Sequence, residues 1–213
     1  MTVRLAARDL TFRYDASTAL LEHWSAEFHA GEVVAVTGPS GRGKSTLLYL
    51  LGLMLRPASG QVLLDGHAMQ ARRDHERAAA RATQFGFVFQ DAALDPSRTV
   101  LDNILETTLY RGERRRDRVS RAEGLIEQMG VGLRRDAKPG QVSGGQAQRI
   151  ALCRALIGNP RVLLADEPTG NLDPASSDVV VEAMHDQASR GAAVVVVTHD
   201  PVLVARCDRK LEL

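Results

Sequence analysis

Short apolar runs set the framework of this chain. Residues 33–36, 162–165 and 192–197 are unbroken stretches of Val, Leu and Ala. Their length and β-branched content predict strands buried on both faces, as in a parallel sheet. Residues 85–89 read the same way and end at Gln90. Nearer the start, residues 3–14 alternate loosely between apolar and polar, and 20–28 repeat the alternation before His29-Ala30-Gly31. That pattern predicts antiparallel strands and a turn leading into the first buried strand.

Helical patterns fill the rest. Residues 47–55 form an apolar block that suits a buried helix behind the first run. Pro57-Ala58-Ser59-Gly60 predicts a turn, 61–64 a strand, Asp65-Gly66 another turn, and the charged, alanine-rich 72–82 an exposed helix. His67 and His75 lie in this polar stretch with no second ligand at metal spacing and read as solvated surface. From residue 91 to about 156 the period becomes helical. Residues 100–109, the set Val119, Ala122, Ile126 and Met129, and the set Ile150, Cys153, Leu156 and Ile157 each mark a helix face. The expectation is one domain, with a strand-rich core of residues 1–90 and 157–213 and an inserted helical lobe, 91–156. The charge run 111–118 between its helices reads as a solvated loop, with contact to a partner or to anionic headgroups as the alternative.

Composition narrows the classes further. A net charge of +1 gives no electrostatic reason to expect a nucleic-acid partner. The first nine residues lack the apolar core of a signal peptide, and the block 47–55 is too short to span a bilayer. A cytoplasmic chain with no membrane span of its own is expected. The two cysteines, Cys153 and Cys207, form neither a CxxC pair nor a disulfide framework, and Cys153 reads as core.

The chemistry gathers around Gly38-Pro39-Ser40-Gly41-Arg42-Gly43-Lys44-Ser45-Thr46. A strand, a glycine loop and a helix in that order let successive backbone N–H groups curl around phosphate at the positive end of the new helix. Lys44 is placed to reach the β- and γ-phosphates, and the Ser45 hydroxyl to take a Mg²⁺ position. Gln90, at a strand end, suits Mg²⁺ through its oxygen and water through its nitrogen. Asp166 and Glu167 end another strand with side chains pointing in different directions, which assigns Asp166 to the metal and Glu167 to the general base. His199 ends a third strand, and parallel strands bring their carboxyl ends to one edge, where it meets a γ-phosphate. Tyr14 either stacks on an adenine or serves the core. Ser143-Gly144-Gly145-Gln146 opens a helix as a second cradle for phosphate oxygens. With one Lys-Ser loop in the chain, that cradle is expected to serve a nucleotide held by another copy. Asp173 is expected to cap the helix that starts at Pro174.

With these motifs in this order, the chain resembles an ABC-transporter ATPase subunit over nearly its full length. Ala165-Asp166-Glu167-Pro168-Thr169-Gly170-Asn171-Leu172-Asp173 resembles one branch in particular: the lipoprotein-release, macrolide-export and FtsE-type cell-division ATPases, in which two ATPase copies grip a membrane protein with few spans. The resemblance implies an α/β fold, a P-loop core with an antiparallel N-terminal β subdomain and an inserted α-helical subdomain. It implies hydrolysis of ATP with Mg²⁺ in a head-to-tail homodimer. Each ATP would lie between one copy's residues 38–46 and the other's Ser143, Gly144, Gly145 and Gln146, with Tyr14 on adenine and Asp173 acting across the interface. A transmembrane permease supplied by another chain would hold the dimer at the inner face of the cell membrane and meet it near residues 90–100.

Departures from that family pattern carry expectations of their own. Val142 stands where leucine is usual, and Arg42 where a small residue is. Asp91, Asp95 and Arg98 occupy a stretch the branch usually makes apolar, so a polar docking groove and a basic residue on the partner's coupling segment are expected. Many relatives continue beyond the edge strand expected near Leu213, so the native protein is either longer or naturally minimal. A conventional importer or exporter with a many-span permease and a regulatory machine acting on an extracytoplasmic enzyme fit the same motifs. A DNA-repair or ribosome-associated role does not, for want of a coiled-coil insertion, a second cassette or a basic excess.

Overall fold

A computed structural model describes residues 2–14, 19–39 and 41–213. In chain order the elements are β1 (Val3–Phe12), β2 (Leu21–His29), β3 (Val33–Thr37), α1 (Lys44–Leu51), β4 (Ser59–Leu64), β5 (His67–Ala68), α2 (Asp74–Gln84), β6 (Phe85–Val88), α3 (Val100–Tyr110), α4 (Val119–Gln128), α5 (Gly144–Leu156), β7 (Val162–Asp166), α6 (Pro174–Ser189), β8 (Ala193–Val197), α7 (Pro201–Ala205) and β9 (Arg209–Glu212). Strands in the order β2-β1-β4-β5 make an antiparallel sheet, and β6-β7-β8-β3-β9 a parallel one.

Side-chain alternation explains why the central strands read as unbroken apolar runs. Val194 and Val196 of β8 pack with α5 and α6, whereas Val195 and Val197 pack with α1 and the antiparallel sheet. Both faces of the parallel sheet are covered, so neither tolerates a polar residue. The expected edge strand is β9, which pairs in parallel with β3. Cys153 is fully buried on α5, and burial pushes its thiol well above the ordinary range.

The apolar block 47–55 does not stay helical to its end. Helix α1 stops at Leu51, Leu53 takes a φ of 62°, and the carbonyls of Leu53 and Leu55 accept Arg77 Nη2 at 2.8 and 2.9 Å. Arg81 adds a bond of 2.9 Å to Leu53. Two guanidinium groups thus satisfy carbonyls just beyond the C-terminus of α1, where backbone acceptors lack partners and cations are favoured. The helix 72–82, expected to be exposed, therefore carries a buried arginine: Arg77 of α2 is only 5% exposed.

Ion pairs anchor two charged stretches of the helical lobe. The charge run 111–118 is solvated in its middle, where residues 114–117 are exposed, and is anchored by ion pairs and hydrogen bonds. Arg111 Nη1 donates to the carbonyls of Ala82 and Thr83, both at 2.9 Å, Glu113 accepts from Arg111 and Arg118, and Arg115 pairs with Asp102. Carboxylates placed within and beside the run turn it into a tie between α2, α3 and α4. The stretch holding Asp91, Asp95 and Arg98 keeps its polar character, with Asp91 exposed and Asp95 and Arg98 partly so. Asp95 and Arg98 pair with each other at 3.0 Å, and Arg98 also faces Glu106. A separate cleft between α2, β6, α3 and α5 is mainly apolar, lined by Met54, Phe85, Phe87, Phe89 and Tyr110 with Arg81, Arg111 and Arg154 among them.

Candidate active site

The carboxyl ends of β3, β6, β7 and β8 lie on one edge of the parallel sheet, because all four strands run the same way. Of the sequence-predicted residues, Tyr14, Gly41, Gly43, Lys44, Ser45, Thr46, Gln90, Asp166, Glu167 and His199 line a single cavity there. Gly38 precedes it at the end of β3, and Arg42 is exposed on the loop. Ser40 lies outside the described residues.

The loop is shaped by backbone geometry. Gly43 sits at φ 87° immediately before α1, and a Cβ there would come within 2.7 Å of Leu20 Cγ. Only glycine meets both demands. Lys44 folds over the loop, its Nζ donating to the carbonyls of Gly38 at 2.8 Å and Pro39 at 3.0 Å. These neutral acceptors hold the ammonium at the cavity mouth, where a phosphate oxygen would be a stronger partner.

Asp166 and Glu167 stand side by side in different environments. Asp166 is 5% exposed. Burial pushes its carboxyl above the ordinary value, against a hydrogen bond from Ser45, with Glu167 raising it further and Lys44 lowering it. Glu167, at φ 46°, accepts from Thr198 Oγ1 at 2.9 Å and from the His199 N–H at 3.1 Å, and its Oε1 lies 2.6 Å from His199 Nδ1. Strand β7 thus delivers a buried carboxylate and a tethered one to the same cavity.

The Ser45 hydroxyl, the Gln90 carboxamide and the Asp166 carboxylate form a hard oxygen set. Among the described residues no group of three or more His, Cys, Asp and Glu side chains is arranged for a metal. One carboxylate with neutral oxygens suits Mg²⁺, which keeps several waters and takes its other ligands from phosphate.

Tyr14 is not a core residue. Its ring is 70% exposed, rests edge-on against Phe12 with centroids 4.9 Å apart, and places its hydroxyl 3.0 Å from Thr46 Oγ1. The exposed side chain lines the cavity.

The second cradle stands apart. Ser143 caps α5 by accepting from the Gln146 N–H at 3.2 Å, and Gln146 Oε1 returns a bond to the Ser143 N–H at 3.0 Å. Gly145 packs so close to Leu172 and Asn171 that a Cβ would lie 3.1 Å from the former. None of Ser143 to Gln146 lines the cavity. Asp173 caps α6 as expected, accepting from the Ser176 N–H at 3.0 Å. It too lies outside that cavity.

Sequence reasoning passed over three residues. Thr198 holds Glu167. Gln148 of α5 donates to the Phe89 carbonyl at 3.2 Å, and Arg154 of α5 donates to the carbonyls of Ala92 and Ala93. Arg154 did carry a signal, since no carboxylate stands three or four residues from it on its helix.

Comparison with known proteins matches a whole nucleotide-binding module. The model of the family described as ABC transporter matches residues 21–170, most of the chain. The chain belongs to the ABC transporter family. This cassette is 40% identical to the lipoprotein-releasing system ATP-binding protein LolD of Roseobacter denitrificans, over 98% of this chain and 94% of that protein. It is 45% identical to the macrolide export ATP-binding/permease protein MacB 1/2 of Paracoccus denitrificans, over 86% of this chain but 27% of that longer protein. Its structure is similar to the dimeric structure of MJ0796, a bacterial ABC transporter cassette, with a TM-score of 0.91, 32% identity, and 98% and 94% of the two chains covered. The post-hydrolysis dimer of MJ0796 bound to ADP and Pi matches with a TM-score of 0.88, at the same identity and coverage. The chain is an ATP-binding, ATP-hydrolysing cassette of the LolD- and MacB-like kind, with the expected α/β cassette fold. No helix among the described residues is long and apolar enough to cross a membrane.

Proposed function

We propose that two copies of this cassette close around two ATP molecules and drive a membrane permease of the lipoprotein-release or macrolide-export kind. The observation that carries the reading is the division of the motifs. Lys44, Asp166, Glu167 and His199 share one cavity, from which Ser143 to Gln146 are absent. A cradle that does not reach its own chain's phosphate loop is available to a second copy's, and the dimeric state of MJ0796 supports this arrangement.

In this reading the N–H groups of Gly41 to Thr46 and the Lys44 ammonium bind the phosphates, and Tyr14 offers its exposed ring to adenine. Ser45, Gln90 and Asp166 hold Mg²⁺, which when bound neutralises charge on the β- and γ-phosphate oxygens. Glu167 takes the proton from the attacking water. His199 and Thr198 keep the Glu167 carboxylate aimed while the cavity is open, and His199 turns to the γ-phosphate when it closes. Ser143 to Gln146 of the second copy complete the site, with Asp173 at the same interface. The apolar cleft beside Phe87 and Tyr110 receives the permease's cytoplasmic segment, which holds the dimer at the inner face of the membrane.

Glu167→Gln tests this. The amide keeps the shape but takes no proton, so turnover should fall by about 10²–10⁴-fold while ATP binding persists and ATP-trapped dimer accumulates on size exclusion. Turnover at the wild-type rate would overturn the assignment. Gentle solubilisation of the trapped complex from its native membrane should recover a permease with few spans and a large extracytoplasmic domain.

A further inference from the structure

Gln90 is held from both sides by one helix. On its N-terminal flank, Gln148 of α5, only 3% exposed, donates to the Phe89 carbonyl at 3.2 Å. On its C-terminal flank the backbone does something costly. Ala92 and Ala93 are both left-handed, at φ 59° and 45°, a region that residues carrying a Cβ rarely enter and almost never enter in succession. No glycine relieves this. The Arg154 guanidinium compensates from α5, with Nη2 donating to the Ala92 carbonyl at 2.7 Å and Nη1 to the Ala93 carbonyl at 2.6 Å.

The fork of a guanidinium fits this task. Two consecutive left-handed residues turn their carbonyls so that one planar group meets both with donors on two separate nitrogens in a fixed fork, a geometry an ammonium does not preset. Partial burial pushes the Arg154 pKa down, and the charges of Glu106 and Asp91 counter that only in part. Arg154 also forms part of the apolar cleft next to Phe89. The same helix that begins with Ser143-Gly144-Gly145-Gln146 therefore fixes where Gln90 points.

We propose that Arg154 is a positioning residue for hydrolysis: its two hydrogen bonds lock Ala92 and Ala93 left-handed and so aim the Gln90 carboxamide into the nucleotide cavity. This rests on the reading of Gln90 given above. Arg154 never touches nucleotide. It acts through the loop, and because it belongs to α5 it links the angle of the signature helix to the placement of Gln90.

The test compares Arg154→Met, Arg154→Lys, Gln90→Ala and the Arg154→Met/Gln90→Ala double variant, measuring kcat, ATP affinity, the Mg²⁺ concentration for half-activation and thermal midpoint. Arg154→Lys keeps the charge but loses the preset planar fork, which guards against a variant that simply fails to fold. Misplacement by about an ångström should cost about 10- to 100-fold in kcat, with ATP affinity nearly unchanged because the phosphate loop sits on another element. Half-activation by Mg²⁺ should move to higher concentration. The double variant should be no slower than Gln90→Ala alone. Replacing Ala92 and Ala93 with glycine in the Arg154→Met background should restore part of kcat, since glycine enters the left-handed region without help. If Gln90→Ala is impaired but Arg154→Met and Arg154→Lys lose only thermal stability, or if the two defects multiply, the inference is overturned. If Gln90→Ala itself turns over normally, the reading of Gln90 fails, and the positioning role fails with it.

Discussion

Replacing Asn103 should unsettle the turn that joins the Gln90 loop to α3. Its side chain is fully buried. Oδ1 accepts from the Asp95 N–H at 2.7 Å, while Nδ2 donates to the carbonyls of Thr99 at 2.9 Å, Asp95 at 3.1 Å and Arg98 at 3.4 Å. Alanine removes three short bonds at about 1 kcal/mol each and leaves a buried N–H unpaired, for a total of about 4 kcal/mol. In a chain of this size that lowers the thermal midpoint by about 8–16 °C. Asn103→Asp is the sharper probe. It matches asparagine in shape and keeps the bond to the Asp95 N–H, yet sets a carboxylate against three carbonyls. At pH 7 it should be at least as damaging as alanine, because a buried charge with acceptors for neighbours has no compensation. Thermal and urea unfolding of the three proteins, with ATP binding as a check on the distant phosphate loop, decides the matter. An Asn103→Asp protein within about 1 kcal/mol of wild type would refute the accounting.

The other predictions concern the phosphate loop and the sheet edge. Gly43→Ala forces a side chain into φ 87° and against Leu20; at about 1–2 kcal/mol for the conformation alone, ATP should bind about tenfold more weakly or worse by fluorescent-nucleotide titration, and unchanged affinity would count against the loop geometry. Glu32 ties β3 to β9 through Arg209 at 2.8 Å. Burial pushes its carboxyl up, but hydrogen bonds from Arg209 and His29 outweigh that and hold the pKa below its ordinary value. A lowered carboxylate pKa stabilises the fold above the unfolded value, and the contribution fades as pH falls through the folded one. Glu32→Gln should therefore cost about 2 kcal/mol at pH 7 and converge on wild type in acid; a difference independent of pH would show that charge is not what Glu32 contributes.

Much of this molecule could be read from residue order. Unbroken apolar runs mark strands covered on both faces, and because those strands are parallel, whatever follows each one arrives at the same edge. Gln90, Glu167 and His199 were therefore legible as neighbours although far apart in the chain. Local rules also sufficed for Asp173, whose oxygen sits at the start of a proline-led helix, and for Gly43, where a loop must turn left-handed into a helix. What the residues alone determined is the fold class, the phosphate loop and the set of groups gathered around it.

Tertiary structure alone decided which charges are spoken for. The run 111–118 stays solvated in its middle, yet Glu113 and Asp102 anchor it to the helices around it. Asp95 and Arg98 read as separate charges in the sequence, whereas the fold pairs them with each other. Arg77 looks like an ordinary helix arginine and Arg154 shows only that it lacks a carboxylate on its own helix, but each reaches across the fold to backbone carbonyls of another segment. The physical reason is range. Periodicity and capping are set within a few residues, so they survive in the sequence, whereas a guanidinium or carboxylate finds its partner at the end of a long side chain on another element, and only packing brings that partner within reach.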